Sequence, residues 1–450
     1  MISDGGVPAL LAVMLALHCG QAGAENLLDV YRLAAQHDPQ YLAADAAHLA
    51  ASEARTQGRA LLLPTLNLNA SVSTGTQEIL SASAGSAYST SVGKRYDNDT
   101  TVYGLRLVQP IFRFDSLVQQ GLAGARVARA EAEFGDEQQA MMVRVAEGYF
   151  NVLAARDSVD FAEAERKSIE RQLEQTRQRF KVGLVAITDV HEAQAAFDLA
   201  TAQEIDARDQ LASAIEALRQ LTGMQHDALD RVAEEIPLAG PDPADIELWT
   251  QRALDGNLKM QAARFAEREA YHGKLVTRAG HLPNIDAVAD YSRSDIKSGT
   301  FMGDREVEDT SVAVQMTMSL FAGGATQSRV RESAQRHEQA VQILEQQRRL
   351  TVRQVRDAYR SVLADIQRVM ALKQAVVSAQ SALKANEAGY SVGTRTSVDV
   401  LGARRELFKA QRDYSQARYR YLLDTLRLKQ ATGQLTAQDI ELVNGWTVHG

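Results

Sequence analysis

The chain has 450 residues, a net charge of −8 and a pI of about 5.7, with 45% hydrophobic and 6% aromatic side chains. The acidic balance offers no basic surface to nucleic-acid phosphates, and the low aromatic content favours Ala-, Leu- and Val-rich helices over an aromatic-rich sandwich. Length alone suggests about three domains, a prior that an internal repeat overturns.

At the N-terminus, residues 1–24 hold an apolar run from Val7 to Leu17 and the small-residue site Ala22-Gly23-Ala24, the pattern of a cleaved secretory signal, although Asp4 stands where a positive n-region belongs. The run is shorter than the roughly 20 apolar residues of a membrane anchor. Cys19 is the single cysteine, and Ala16-Leu17-His18 before it fit a lipoprotein signal poorly. Cleavage after Ala24 leaves no thiol, which excludes disulfides, thiolate metal sites and cysteine catalysis.

Two alternating stretches follow. Leu66, Leu68, Ala70 and Val72 interleave with Asn67, Asn69, Ser71 and Ser73, and Tyr103, Leu105, Leu107 and Ile111 share one face of the next. Strands are expected at about 65–75 and 100–112, with the Ser- and Gly-rich residues 76–99 as a solvated loop. No proline occurs between Pro110 and Pro237. Since a proline inside a helix costs about 3 kcal/mol, and apolar residues here recur at three- and four-residue spacing (Val143, Ala146, Phe150, Leu153), a helix from about 114 to 180 is expected. At 1.5 Å per residue it runs on the order of 100 Å, far beyond the needs of a globular core. Gly183 ends it, and a second helix returns from Thr188 to Leu221 as a hairpin of about 113–222.

The pattern then repeats. Residues 145–223 and 355–433 align without a gap at an offset of 210: Tyr149 with Tyr359, Gly183 with Gly393, Asp189 with Asp399, Thr222-Gly223 with Thr432-Gly433. The second half supplies alternating stretches at about 284–294 (Ile285, Ala287, Ala289, Tyr291) and 309–321 (Val312, Val314, Met316, Met318, Leu320), a solvated loop at 295–308, and a hairpin at about 322–432. The expected organisation is two tandem β-β-α-α repeats, 25–235 and 236–450, in one continuous domain.

Apolar on one face and small or polar on the other over about ten residues describes a lipid-facing barrel strand with a wet lumen. Four such strands cannot close, because the smallest barrels need about eight and an open edge in lipid leaves backbone groups unpaired. The barrel must be shared, and threefold symmetry gives a 12-stranded barrel above a 12-helix α-barrel.

The tip segments Arg179-Phe180-Lys181-Val182-Gly183-Leu184-Val185-Ala186-Ile187-Thr188-Asp189-Val190 and Ala388-Gly389-Tyr390-Ser391-Val392-Gly393-Thr394-Arg395-Thr396-Ser397-Val398-Asp399-Val400-Leu401 resemble those of the TolC family of outer-membrane channels. The likeness extends to Gly148-Tyr149-Phe150-Asn151-Val152-Leu153 and Gly280-His281-Leu282-Pro283. It implies a homotrimeric exit duct for drug efflux or type I protein secretion, with a large periplasmic part. A periplasmic adaptor and an inner-membrane ABC, RND or MFS transporter would open it. Carried over, Tyr390 and Arg395 would contact Thr188 and Asp189 as gate links, and Asp399 would form an acidic ring at the pore entrance. Val182, Gly183, Leu184, Val392, Gly393 and Thr394 would meet the adaptor. This chain departs from the family at Gly402, where a second ring aspartate commonly stands, and at Ser319, the repeat counterpart of Pro110.

Taken singly, these residues have simpler readings. Asp189 and Asp399 are first-turn acids favourable to a helix dipole, Arg395 a surface charge, Tyr390 a packing aromatic, and the glycines turn residues. An enzyme is not expected: His191-Glu192 and His337-Glu338 begin H-E-x-x-H but reach Ala195 and Val341, and no Walker, dinucleotide or G-x-S-x-G motif occurs. No metal or cofactor is expected. A trimeric coiled-coil adaptor or surface adhesin is the alternative, opposed by the four lipid-facing strands.

Overall fold

The computed structural model describes residues 24–86, 89–226, 228–298 and 303–448. The signal expected over 1–24 lies, but for Ala24, outside them. In chain order the elements are α1 (Leu27–His37), α2 (Pro39–Ser52), α3 (Ala54–Ala60), β1 (Thr65–Glu78), β2 (Arg95–Phe112), α4 (Phe114–Lys181), α5 (Ile187–Thr222), β3 (Arg231–Val232), α6 (Ile246–Gly256) and α7 (Leu258–Ala279). Then come β4 (Asn284–Ser298), β5 (Arg305–Thr317), α8 (Ala325–Ser391), α9 (Ser397–Ala431), α10 (Ala437–Asn444) and β6 (Thr447–Val448).

β1, β2, β4 and β5 form one antiparallel sheet in the order β1-β2-β4-β5. Its register gathers the apolar residues into rows: Leu66, Leu107, Ala289 and Val312 lie across from one another, as do Leu68, Leu105, Tyr291 and Thr310. On this face Leu68 is 71% and Val312 81% exposed in the single chain, surface suited to hydrocarbon. The opposite face carries Asn67, Arg106, Asp290 and Ser311 in one row, with Arg106 and Asp290 3.7 Å apart. Period-two alternation sorts the two solvents.

The strands differ in extent from their apolar stretches. β1 runs on to Glu78, β2 starts at Arg95 and β4 reaches Ser298, so pairing continues into both expected loops. Thr76 pairs with Asp97 and donates its hydroxyl to that carboxylate at 3.2 Å, a polar ribbon invisible to hydrophobic periodicity. β5 covers 305–317 instead of 309–321, since β4 begins at Asn284 opposite Thr317 and Pro283 before it has no N–H to donate. Met318, Leu320 and Phe321 are exposed beyond the strand. The joint at Ser319, which lacks a proline, turns instead through Gly323 and Gly324 at φ 60° and 82°.

α4 and α8 are 68 and 67 residues long, their returning helices 36 and 35. Each return therefore covers half its partner. The uncovered upper half of α4 packs against α2, α3 and α7, and α7 also packs on α8. Hydrophobic periodicity does not announce the short helices, although the starts of α1, α2, α6 and α7 are written locally. Asn26, Asp38, Asp245 and Asn257 each accept an N-cap hydrogen bond, and Pro39 occupies the first turn of α2.

The main core is a girdle at mid-height, where Leu27 and Val30 of α1 meet Met141, Tyr149 and Leu153 of α4, Tyr421 and Leu422 of α9, and Ile440 of α10. Tyr149 donates its hydroxyl to Asp230 O at 2.8 Å, and burial pushes its pKa up. Beside the girdle two nearly buried carboxyls face each other, Asp365 on α8 and Asp424 on α9. Arg420 lies 3.5 Å from the first and 3.8 Å from the second, Arg368 is 3.6 Å from Asp365, and Arg427 bridges Asp424 (3.1 Å) and Glu147 (3.2 Å). Burial, then the neighbouring Asp424 carboxyl, pushes Asp365 up to about 6 against the pull of the arginines. A raised carboxyl pKa means the folded state holds the proton that the unfolded chain releases. Stability from this pair is thus present at low pH and lost as pH rises from about 4 through 6. Asp424→Asn is expected to flatten the fall in Tm between those values; an unchanged pH slope contradicts the part Asp424 plays in raising Asp365.

The helical tips as candidate functional site

Both long helices end in the same device. At the first tip Leu184 N donates to Arg179 O and Gly183 N to Phe180 O, both at 2.9 Å; at the second Thr394 N donates to Gly389 O at 2.9 Å and Gly393 N to Tyr390 O at 3.2 Å. This 6→1 and 5→2 pairing requires a left-handed residue, supplied by Gly183 at φ 75° and Gly393 at φ 80°. The turn leaves Val182, Leu184 and Val392 between 69% and 74% exposed at the chain's far end.

The returning helices start differently. α9 opens with a complete capping box: Thr396 Oγ1 accepts from Asp399 N at 3.2 Å, while Asp399 Oδ2 accepts from Thr396 N and Oγ1, both at 2.9 Å. Those bonds, backbone first, hold the Asp399 carboxyl below the usual carboxylate range, with Arg395 adding to the pull. Asp399 therefore stays ionised until pH falls through that depressed value. α5 has Ala186 at the equivalent position, and only Asp189 contributes, accepting from Ala186 N at 3.3 Å.

Within the chain the expected gate residues are only partly brought together. The Arg179 guanidinium lies 4.7 Å from the Tyr390 ring centre, joining the two hairpins. Arg395 folds back over the end of α8, its Cγ filling the space a side chain at Gly389 would need. Among the described residues no hydrogen bond or ion pair inside one chain links Tyr390 or Arg395 to Thr188 or Asp189. A contact that sequence reasoning missed lies just above: Arg404 of α9 donates to Ser168 O (2.9 Å) and Oγ (2.7 Å) on α4 and to Glu387 on α8 (2.7 Å). Its only sequence signal was one arginine among many. The apolar cluster at this end is small, Ile169, Ala200 and Leu401. Compared with the girdle, the tips are the low-stability end of the molecule.

No helix among the described residues is long and apolar enough to cross a membrane. An open-edged sheet with a lipid-facing side and a polar side, mounted on helices of this length, is the subunit of an outer-membrane channel. The chain belongs to the outer membrane efflux protein family, whose profile matches residues 30–224 and 249–434. It is similar to outer membrane protein TolC of Vibrio cholerae, 36% identical over 440 residues and 97% of each chain. It is also similar to alkaline protease secretion protein AprF of Pseudomonas aeruginosa, 30% identical over 98% of this chain and 91% of that one. Among solved structures, the outer membrane protein VceC of Vibrio cholerae shares its fold, with a TM-score of 0.74 at 20% identity over 90% of this chain and 96% of that one. The protein is an outer-membrane efflux or secretion channel, and the adaptor and adhesin readings fall.

Proposed function

We propose that three copies close a twelve-stranded barrel above a periplasmic helical tube, and that this trimer is a passive exit duct opened by a periplasmic adaptor and an inner-membrane ABC, RND or MFS pump. The observation that carries the reading is the four-stranded sheet with free edges at β1 and β5. In hydrocarbon each unpaired backbone group costs several kcal/mol, so the edges must pair between copies. Efflux in the family's description and protease secretion in the name of AprF support both kinds of cargo. Residues 25–235 and 236–450 are then two structural repeats of one continuous domain, and the relatives are channel proteins, so no catalytic role is assigned.

In this reading the gate links form between subunits, Arg395 and Tyr390 of one tip against Thr188 and Asp189 of another. Asp399 makes an acidic ring on the threefold axis, and the exposed tips Val182-Gly183-Leu184 and Val392-Gly393-Thr394 receive the adaptor. Gly402 lies one turn beyond Asp399 on the same helix face, and a Cβ built there meets nothing within 4 Å. Asp399→Asn is expected to relieve block of the pore by divalent cations, and Gly402→Asp to deepen it by adding a second ring. Thr396→Ala breaks the same capping box but keeps the carboxylate, so it should leave the block in place. Block unchanged in both Asp399→Asn and Gly402→Asp in a planar bilayer would remove the ring.

A further inference from the structure

The two repeats fill one spot in different ways. At the offset of 210 residues, Asp365 of α8 and Asp424 of α9 correspond to Ala155 of α4 and Ala214 of α5. The arginines around the acids have no basic counterparts either, since Arg368, Arg420 and Arg427 answer to Ser158, Gln210 and Ala217. Ala214 packs against the girdle core, so the first hairpin closes the same spot with small apolar side chains. A buried ionisable cluster is often no more stabilising than an apolar filling, and its presence in the second hairpin calls for another reason.

The geometry supplies one. Asp365 is 1% and Asp424 6% exposed. Arg368 and Arg420 both approach Asp365 on Oδ1, at 3.6 and 3.5 Å, while Oδ2 is buried without a hydrogen-bond partner. On Asp424, Arg427 takes Oδ1 at 3.1 Å and Arg420 stands 3.8 Å from Oδ2; Arg427 also holds Glu147 of α4. The flanking charges along α8 pair away from the acids, Arg360 with Asp357, Arg356 with Glu247 of α6, and Lys373 with Glu235. A carboxylate oxygen sealed from water with no donor is costly, whereas a proton placed on it can be donated to the facing carboxyl.

We propose that Asp365 and Asp424 hold one proton between them, and that this proton fastens α9 to α8 at the girdle, making the grip on the second hairpin depend on the acidity around it. The proton sits on Asp365 Oδ2 and is donated to Asp424. Burial and the facing carboxyl push Asp365 up to about 6, which places the change between mildly acid and neutral surroundings. With the proton in place the two helices share a hydrogen bond. Once it leaves, two carboxylates face each other across the same contact and compete for Arg420. Asp365 and Asp424 lie equally far up their helices from the tip residues Tyr390 and Asp399, about 38 Å, so the fastening sits where this hairpin leaves the girdle. Asp399, held below the usual carboxylate range, stays ionised throughout and takes no part in the change. The contact is internal to one chain and does not depend on how copies assemble.

The test uses the full chain in detergent and two variants. Asp365→Asn carries an N–H at every pH, and Asp365→Ala with Asp424→Ala copies the first hairpin. Hydrogen exchange along residues 360–370 and 419–428, corrected for the intrinsic pH dependence of exchange, is followed between about pH 5 and about pH 7.5. Protection in the unsubstituted protein is expected to fall severalfold as pH rises, while both variants stay level. The infrared difference between the unsubstituted protein and Asp365→Asn is expected to show a protonated carboxyl at the lower pH that is lost at the higher. Should Asp365→Asn fail to fold, the double alanine variant takes its place in both comparisons. An equal fall in protection in the variant, or no protonated carboxyl at the lower pH, overturns the shared proton.

Discussion

Val312→Arg is expected to abolish insertion into the outer membrane, while Ser311→Arg, one residue away, leaves it intact. Val312 stands in the apolar row with Leu66, Leu107 and Ala289, well inside the lipid-facing band. An arginine at the bilayer midplane of a barrel costs about 2–4 kcal/mol, and in the proposed trimer threefold repetition raises this to about 6–12 kcal/mol, comparable to the whole stability of a typical fold. Ser311 points to the polar side and is paired with Asp290, so an arginine there gains a carboxylate partner in water. Fractionation of outer membranes, with the heat-resistant oligomer followed on gels, reads the difference. Equal insertion of the two variants contradicts the assignment of faces.

The second large effect is on the closed state. Arg395→Ser with Tyr390→Phe is expected to raise the resting conductance of the purified channel by at least severalfold. An exposed ion pair contributes about 1 kcal/mol at most, too little to hold a gate alone. In the proposed trimer, three copies acting on one equilibrium bias it by about 3 kcal/mol, on the order of a hundredfold in the open population. The thin apolar packing at Ile169, Ala200 and Leu401 offers little else to resist opening. Substituting Arg404 instead would act inside one chain, loosening α9 from α4 and α8. Resting current unchanged by the Arg395 and Tyr390 substitutions would remove them from the gate.

The legible parts of this fold are those where one physical rule acts alone. Strands in lipid must alternate, so Leu66 to Val72 and Val312 to Met316 announce themselves. Helices of this length must exclude proline, and their turns need a left-handed residue, so Gly183 and Gly393 mark the tips. Where two rules compete, the pattern fades. The strand extensions at Thr74–Glu78 and Arg95–Asp99 are polar on both faces and carry no period-two signal, although their backbones pair as fully as the rest. α1, α2, α6 and α7 are short pieces that cover the long helices, betrayed by Asx caps instead of by a long apolar stripe. The tips illustrate a different limit. Asp399 serves its own helix through the Thr396 capping box, a purely local role that spacing alone predicts, and spacing says nothing of a pore axis. Tyr390 meets Arg179 in place of a residue on α5, because cation–π geometry depends on how the two hairpins lean together.

The central claim is that the open sheet closes only between copies, and it is tested most directly by the mass of the purified protein in detergent, measured alongside its conductance in a planar bilayer. The account predicts a particle of three chains with a small, cation-sensitive resting conductance. A monomer that stays soluble without detergent and passes no current would mean that the free edges of β1 and β5 never meet a second copy, and would contradict it.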